Sequence, residues 1–195
     1  MTTMVFMEIK IMSKNQLFLY SKIMILTGNE IKSEVGLGKI KIEPFDINHC
    51  TTNSYDLCLG NVLIQYIEDV LDPKKENKYR ELVIPKEGMI LPKNSFFLGS
   101  SKEKIGSNFY VPMIHAKSGV ARLGLFVHVT ADLVDIGYYG EITFQLYATL
   151  PVKIYPGMKL GQVSFWVPKG EINLYNGKYQ NSTGPQVSKT YQDFS

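Results

Sequence analysis

The sequence predicts a mainly β protein, a barrel or jelly roll of short strands with one short helix near its start. Three observations carry this. Short apolar runs follow one another along the chain, and 9 prolines and 16 glycines punctuate them. Only one stretch carries helix-start and helix-stop signals together. At 195 residues the chain is long enough to bury a core without disulfide or metal support.

The elements follow in order. Residues 1–23 are apolar and Met-rich with no cap or turn, and read as an N-terminal extension or an added edge strand. Thr27 and Glu30 have capping-box spacing, so a helix is predicted from about Gly28 to Val35, stopped by Gly36-Leu37-Gly38. Lys39 to Pro44 alternates as a strand. Tyr55 to Ile67 is a strand with Gly60-Asn61 as an internal turn or bulge. Asp72 to Lys78 is a charged surface loop. Further short strands are predicted at Glu81–Ile84, Met89–Leu91, Ser95–Leu98, Asn108–Ile114, Leu123–Val129, Glu141–Tyr147, Pro151–Tyr155 and Leu160–Val167. Pro156-Gly157 suits a type II turn. From Pro168 onward the chain is polar and lacks a core pattern. The expected organisation is an extension (1–23), a β domain (24–167) and a C-terminal tail (168–195).

Composition narrows the functional classes. A net charge of +3 with scattered lysines is too small for a nucleic-acid stripe. No apolar stretch is long enough to span a bilayer, so no membrane partner is expected. Cys50 and Cys58 form no Cys-x-x-Cys pair, and His49, His115 and His128 complete no zinc signature with them. A reducing cytoplasm is the expected setting.

The stretch from Lys117 to Tyr147 carries the chemistry. Lys117-Ser118-Gly119 and Arg122 form a cationic loop, and two apolar runs flank an acidic turn containing Asp132, Asp135, Gly137 and Tyr138. Small residues let backbone N–H groups approach an anion. The competing reading is a surface hairpin with an incidental mix of charges.

Several segments together resemble the dCTP deaminase and dUTPase superfamily, in its dCTP deaminase-like branch. They are Ser54-Tyr55-Asp56-Leu57, Lys117 to Gly124, His128 to Ala131, Val134 to Tyr138, Gly140 to Thr143, Tyr155 to Gln162 and Gly177 to Gln180. The resemblance implies a distorted β-barrel assembled as a homotrimer, with sites between subunits. It implies a deoxypyrimidine triphosphate ligand (dUTP or dCTP) with Mg²⁺ carried on the phosphates. By the same resemblance, Lys117, Ser118, Gly119 and Arg122 hold phosphates, and Tyr175, Lys178 and Tyr179 close over them. Thr130, Ala131, Asp135, Tyr138 and Gln145 surround the nucleoside, and Asp135 and Gln145 are the candidate catalytic pair.

Two departures from the family pattern bear on activity. The deaminases carry a glutamate where this chain has Gln145, and an amide cannot take up a proton at neutral pH. The loop reads Lys117-Ser118-Gly119 where the family has Arg-Ser-Ser, and lysine lacks arginine's bidentate grip. Asp135 could still activate water for attack on a phosphoryl group. A Gln amide can also accept from a ring N–H, which uracil supplies and cytosine does not. The expectation is therefore a dUTP diphosphatase releasing dUMP and diphosphate. The alternatives are a dCTP deaminase tolerating Gln145 and a non-catalytic nucleotide-binding regulator. Humbler roles stand beside these: Asp135 as a turn cap, Arg122 in an ion pair across the trimer, His128 at a subunit contact, and Gln145 as a satisfied polar group.

Overall fold

A computed structural model describes residues 24–128 and 130–194; the extension expected at 1–23 lies outside them. Helix α1 (Gly28–Gly36) starts where the capping box places it, with Thr27 Oγ1 accepting from Glu30 N at 3.3 Å. It docks through Ile31, which is fully buried, and through Glu34. The Tyr110 hydroxyl donates to Glu34 Oε2 at 2.7 Å, and Lys39 Nζ lies 3.1 Å from the same carboxylate oxygen.

Ten strands follow: β1 (Ile40–Glu43), β2 (Tyr55–Tyr66), β3 (Tyr79–Val83), β4 (Met89–Leu91), β5 (Ser95–Ser107), β6 (Val111–Ala116), β7 (Leu125–Phe126), β8 (Tyr139–Ala148), β9 (Val152–Ile154) and β10 (Lys159–Trp166). Eight of them form one sheet with the path β6-β10-β2-β5-β8-β7, joined by β1 on β5 and β3 on β2. β4 and β9 make a separate pair. The sheet wraps into a distorted barrel around a core that includes Tyr55, Leu57, Leu63, Ile105, Phe144, Leu146, Val163 and Phe165, all fully buried.

Several boundaries differ from the sequence reading, each for a physical reason. β5 continues to Ser107, well past the expected end at Leu98, because β1, β2 and β8 all pair along it and hold its small polar residues extended. Two extra residues of β5 between Ser100 and Lys104 make a bulge against β8. Among the described residues of the run Leu123–Val129, only Leu125–Phe126 is strand (β7), because the short helix α2 (Ser118–Ala121) ends in a turn that takes up Leu123 and Gly124. Asn108 to Tyr110 precede β6, held by the Ser107 hydroxyl, which accepts from Phe109 N and Tyr110 N at 3.0 Å each. The bulge expected near Gly60-Asn61 is present as a register shift between Leu59 and Leu63.

Along β8 the residues alternate strictly. Gly140, Ile142, Phe144 and Leu146 face the core, which leaves Glu141, Thr143 and Gln145 on the opposite face. That alternation positions the candidate site.

Candidate functional site

A cavity of about 650 Å³ lies on the outward face of β8, a volume within the range of small-molecule sites. Gln145 and Thr143 from β8, Leu98 and Phe96 from β5, and the loop carrying His128, Thr130, Ala131 and Asp135 line it. The Thr130 hydroxyl donates to Gln145 Oε1 at 3.1 Å. Gln145 is half-buried, and Asp135 and Thr130 are exposed. Asp135 is the one carboxylate among the described lining residues.

The turn after Asp135 depends on Gly137. Its φ is +95°, and a Cβ there would lie 2.7 Å from Tyr175 N. The turn places Tyr138 in the cavity wall, buried, with its hydroxyl donating to Glu141 O at 2.7 Å. Burial pushes the Tyr138 phenol up to about 12, so it stays a neutral donor. Its ring meets that of Tyr175 at 6.1 Å.

The tail straps over this face. Tyr175 N donates to Ile136 O at 2.8 Å. Gln180 is the main pin: its Oε1 accepts from Tyr139 N at 2.8 Å, and its Nε2 donates to Gly137 O at 2.7 Å. Farther along, Ser188 N donates to the Tyr66 hydroxyl at 2.9 Å, and Lys189 N to the Tyr179 hydroxyl at 2.8 Å. Tyr175, Tyr179, Ser182 and Gln186 thereby join the lining.

His128 also lines the cavity. Its Nε2 donates to Ala131 O, while its buried Nδ1 has no hydrogen-bond partner. Burial holds this imidazole below the usual histidine range, against smaller opposing effects from the Ala131 carbonyl and Asp132.

Of the residues singled out from sequence, Thr130, Ala131, Asp135, Tyr138, Gln145, Tyr175 and Tyr179 come together here. The others lie elsewhere in this chain. Lys117 Nζ sits 2.5 Å from Asp56 Oδ1, and Lys159 Nζ lies 3.3 Å from Asp56 Oδ2. Ser118, Gly119 and Arg122 are exposed on α2 and its end, and Gly119 faces open space. Lys178 is paired with Asp193, 2.7 Å from each carboxylate oxygen. Sequence reasoning missed Phe96, Leu98, Ser182 and Gln186. For Phe96 and Leu98 the signal was available: β5 alternates opposite β8, which brings them beside Gln145.

Fold and site together define a β-barrel protein with an open cavity of small-molecule size beside a C-terminal strap. The family description "dCTP deaminase-like" matches residues 25–167, and the chain belongs to that family. Proteins named "dCTP deaminase, dUMP-forming" are 43% identical in Hathewaya histolytica and 44% identical in Clostridium botulinum, each over 172 residues. Each match covers 88% of this chain and 99% of the relative. A relative from Clostridium acetobutylicum with the same name is 42% identical over the same span. Among solved structures, the 2'-deoxycytidine 5'-triphosphate deaminase from Agrobacterium tumefaciens shares the fold, with a TM-score of 0.60 and 20% identity, over 75% of this chain and 49% of that one.

These relatives overturn the expectation of a dUTP diphosphatase as the main activity. That expectation leaned on one residue against a likeness running through the whole domain. Gln145 does not itself decide between the bases: its Oε1 accepts from Thr130 and keeps a second lone pair, and its Nε2 is a donor.

Among the described residues no helix is long and apolar enough to cross a membrane. Cys50 and Cys58 are free thiols.

Proposed function

We propose that this protein converts dCTP to dUMP. Water adds at C4 of cytosine, the C4–N bond breaks and ammonia leaves. A second water then attacks the phosphoryl chain and releases diphosphate. What supports this most strongly is the agreement of the curated relatives, each named for that conversion and each matched over 99% of its length.

The cavity residues fit that task. Tyr138 would pack on the deoxyribose, while Gln145 with Thr130 and Ala131 would meet the base edge. Asp135 is suited to take a proton from attacking water. Because an amide cannot carry the proton in deamination, that traffic falls to Asp135 and His128, which share the cavity with Gln145. With a single carboxylate in the lining, Mg²⁺ fits as an ion held mainly by the substrate phosphates. It would offset their charge.

The cationic loop Lys117-Ser118-Gly119 with Arg122 does not reach this cavity within one chain. It would serve as the phosphate site of a homotrimer whose sites lie between subunits. In this reading 24–167 is the barrel domain, 1–23 is an extension, and the tail from 168 onward, with Tyr175, Lys178 and Tyr179, closes over the triphosphate. A reducing cytoplasm goes with the two free thiols.

Purified protein given dCTP and Mg²⁺ should release ammonia and diphosphate and accumulate dUMP; release of neither would defeat the proposal. Gln145 favours one second reading, a nucleotide-binding regulator without turnover. Tight dCTP binding with no ammonia and no diphosphate would establish it.

A further inference from the structure

Away from the cavity, three side chains with metal-binding chemistry converge where the 3-10 turn, β2 and β5 meet. His49 ends a single turn of 3-10 helix (Ile47–His49), Cys58 lies in β2, and Glu103 sits in the bulge of β5. One donor atom from each lies within 4.8 Å of the others. Cys58 and Glu103 are buried, and the His49 side chain is 16% exposed.

Among the described residues, Glu103 lacks the lysine partner that other buried acids have. The buried carboxylates of Asp56 and Glu34 each have lysine nitrogen within 4 Å. Glu103 has none. Its polar neighbours include Cys58 N, which donates at 2.9 Å, the Cys58 thiol, and His49 Nδ1 at 4.0 Å. A buried carboxylate is costly without a cation. Here the two side chains facing it, an imidazole and a thiol, are those that bind borderline-soft metals. The bulge that turns Glu103 inward is itself stitched, with Ser101 Oγ donating to Glu103 O at 2.6 Å and accepting from Ile142 N at 2.8 Å. Asp46 Oδ2 stands 3.9 Å from His49 Nε2, where a carboxylate orients a metal-bound histidine.

We propose that His49, Cys58 and Glu103 form a binding site for one divalent zinc-class ion. Tetrahedral Zn²⁺, with bonds of about 2.0–2.3 Å, holds its donors roughly 3.5 Å apart. The cluster would tighten by about 1 Å, and the partly exposed His49 can supply that movement. On binding, the Cys58 thiol proton leaves to solvent and sulfur bonds the metal as thiolate. His49 Nδ1 now donates to Asp56 O at 3.2 Å. On binding, the ring's single proton moves from Nδ1 to Nε2, facing Asp46, and Nδ1 bonds the ion through its freed lone pair. The fourth position is open to water. The ion would join the 3-10 turn, β2 and β5 beside Asp56, which holds Lys117.

The test is Co²⁺ titration of the reduced full-length protein, followed by Zn²⁺ competition against a chromophoric chelator. Wild type should show a thiolate-to-cobalt charge-transfer band saturating at one equivalent. Cys50→Ser should keep the band and Cys58→Ser should lose it. His49→Ala should weaken Zn²⁺ binding by more than about 100-fold, beyond what outer ligands usually cost. No band in wild type, a band surviving in Cys58→Ser, or unchanged Zn²⁺ affinity in His49→Ala would each overturn the site. If Cys58→Ser does not fold by circular dichroism, the His49→Ala affinity decides.

Discussion

The Thr130 hydroxyl donates to Gln145 Oε1 at 3.1 Å, so this amide in the cavity lining is held by a partner from the neighbouring loop. A glutamate in the same place would keep that hydrogen bond and gain the ability to carry a proton. Gln145→Glu should therefore raise ammonia release from dCTP by about 10² to 10⁴-fold, the usual reach of a positioned acid–base group. Steady-state ammonia assays on the two proteins check this, and an unchanged rate would mean that proton transfer does not pass through position 145.

Asp135 is the carboxylate of the cavity wall. Asp135→Asn should lower dUMP formation by at least about 10²-fold while leaving dCTP affinity within a few-fold. Isothermal titration beside product analysis separates the two effects. Equal loss of binding and turnover would make Asp135 a binding residue only.

Asp56 carries two lysines on one buried carboxylate, Lys117 and Lys159. Asp56→Asn leaves both cations without a counter-charge. Full burial of the pair would make that cost about 3–5 kcal/mol. The lysine side chains are 29% and 41% exposed, so a loss nearer 1–3 kcal/mol is expected. Urea unfolding measures it, and an unchanged midpoint would show that water screens the pair completely.

His128 sets a pH dependence. Burial lowers its folded-state pKa below 6.5, so the unfolded chain binds the proton more readily. Stability should fall as pH drops from about 6.5 toward the folded pKa, and level off below it. His128→Asn should flatten this segment of a melting-temperature profile. An identical slope in the variant would assign the acid sensitivity to other groups.

The tail hangs on Gln180, which bonds Tyr139 N and Gly137 O. Gln180→Ala removes two close hydrogen bonds worth about 0.5–1.5 kcal/mol each. If the tail closes over substrate, KM for dCTP should rise several-fold with little change in the barrel's melting temperature. A lower melting temperature with unchanged KM would make the tail a structural belt instead.

The barrel was legible because its signals are local. Thr27 and Glu30 announce α1, Gly157 adopts the positive φ its turn requires, and the apolar residues of β8 alternate. The far half of β5 was not legible, since Ser100, Ser101 and Gly106 have weak strand propensity and become strand through pairing on both sides. At the site, residue types pointed to Asp135, Tyr138 and Gln145. No local pattern told that Lys117 would turn away to Asp56, 61 positions earlier in the chain. Gln145 carries the opposite lesson: one amide in place of a carboxylate does not outweigh a likeness that runs along the whole domain.

The pairing of β10 with β2 also constrains how the molecule is made. Lys159 to Val163 lie against Tyr55 to Cys58, so an interior strand of the sheet waits for a partner about a hundred residues downstream. At a ribosomal rate of about 5–20 residues per second, β2 emerges roughly 5–20 s before β10. During that interval Tyr55 and Leu57 have no finished interior to enter. The nascent chain thus depends on avoiding premature association for most of its synthesis, and codon choices that slow translation between these two strands should lower the yield of soluble protein.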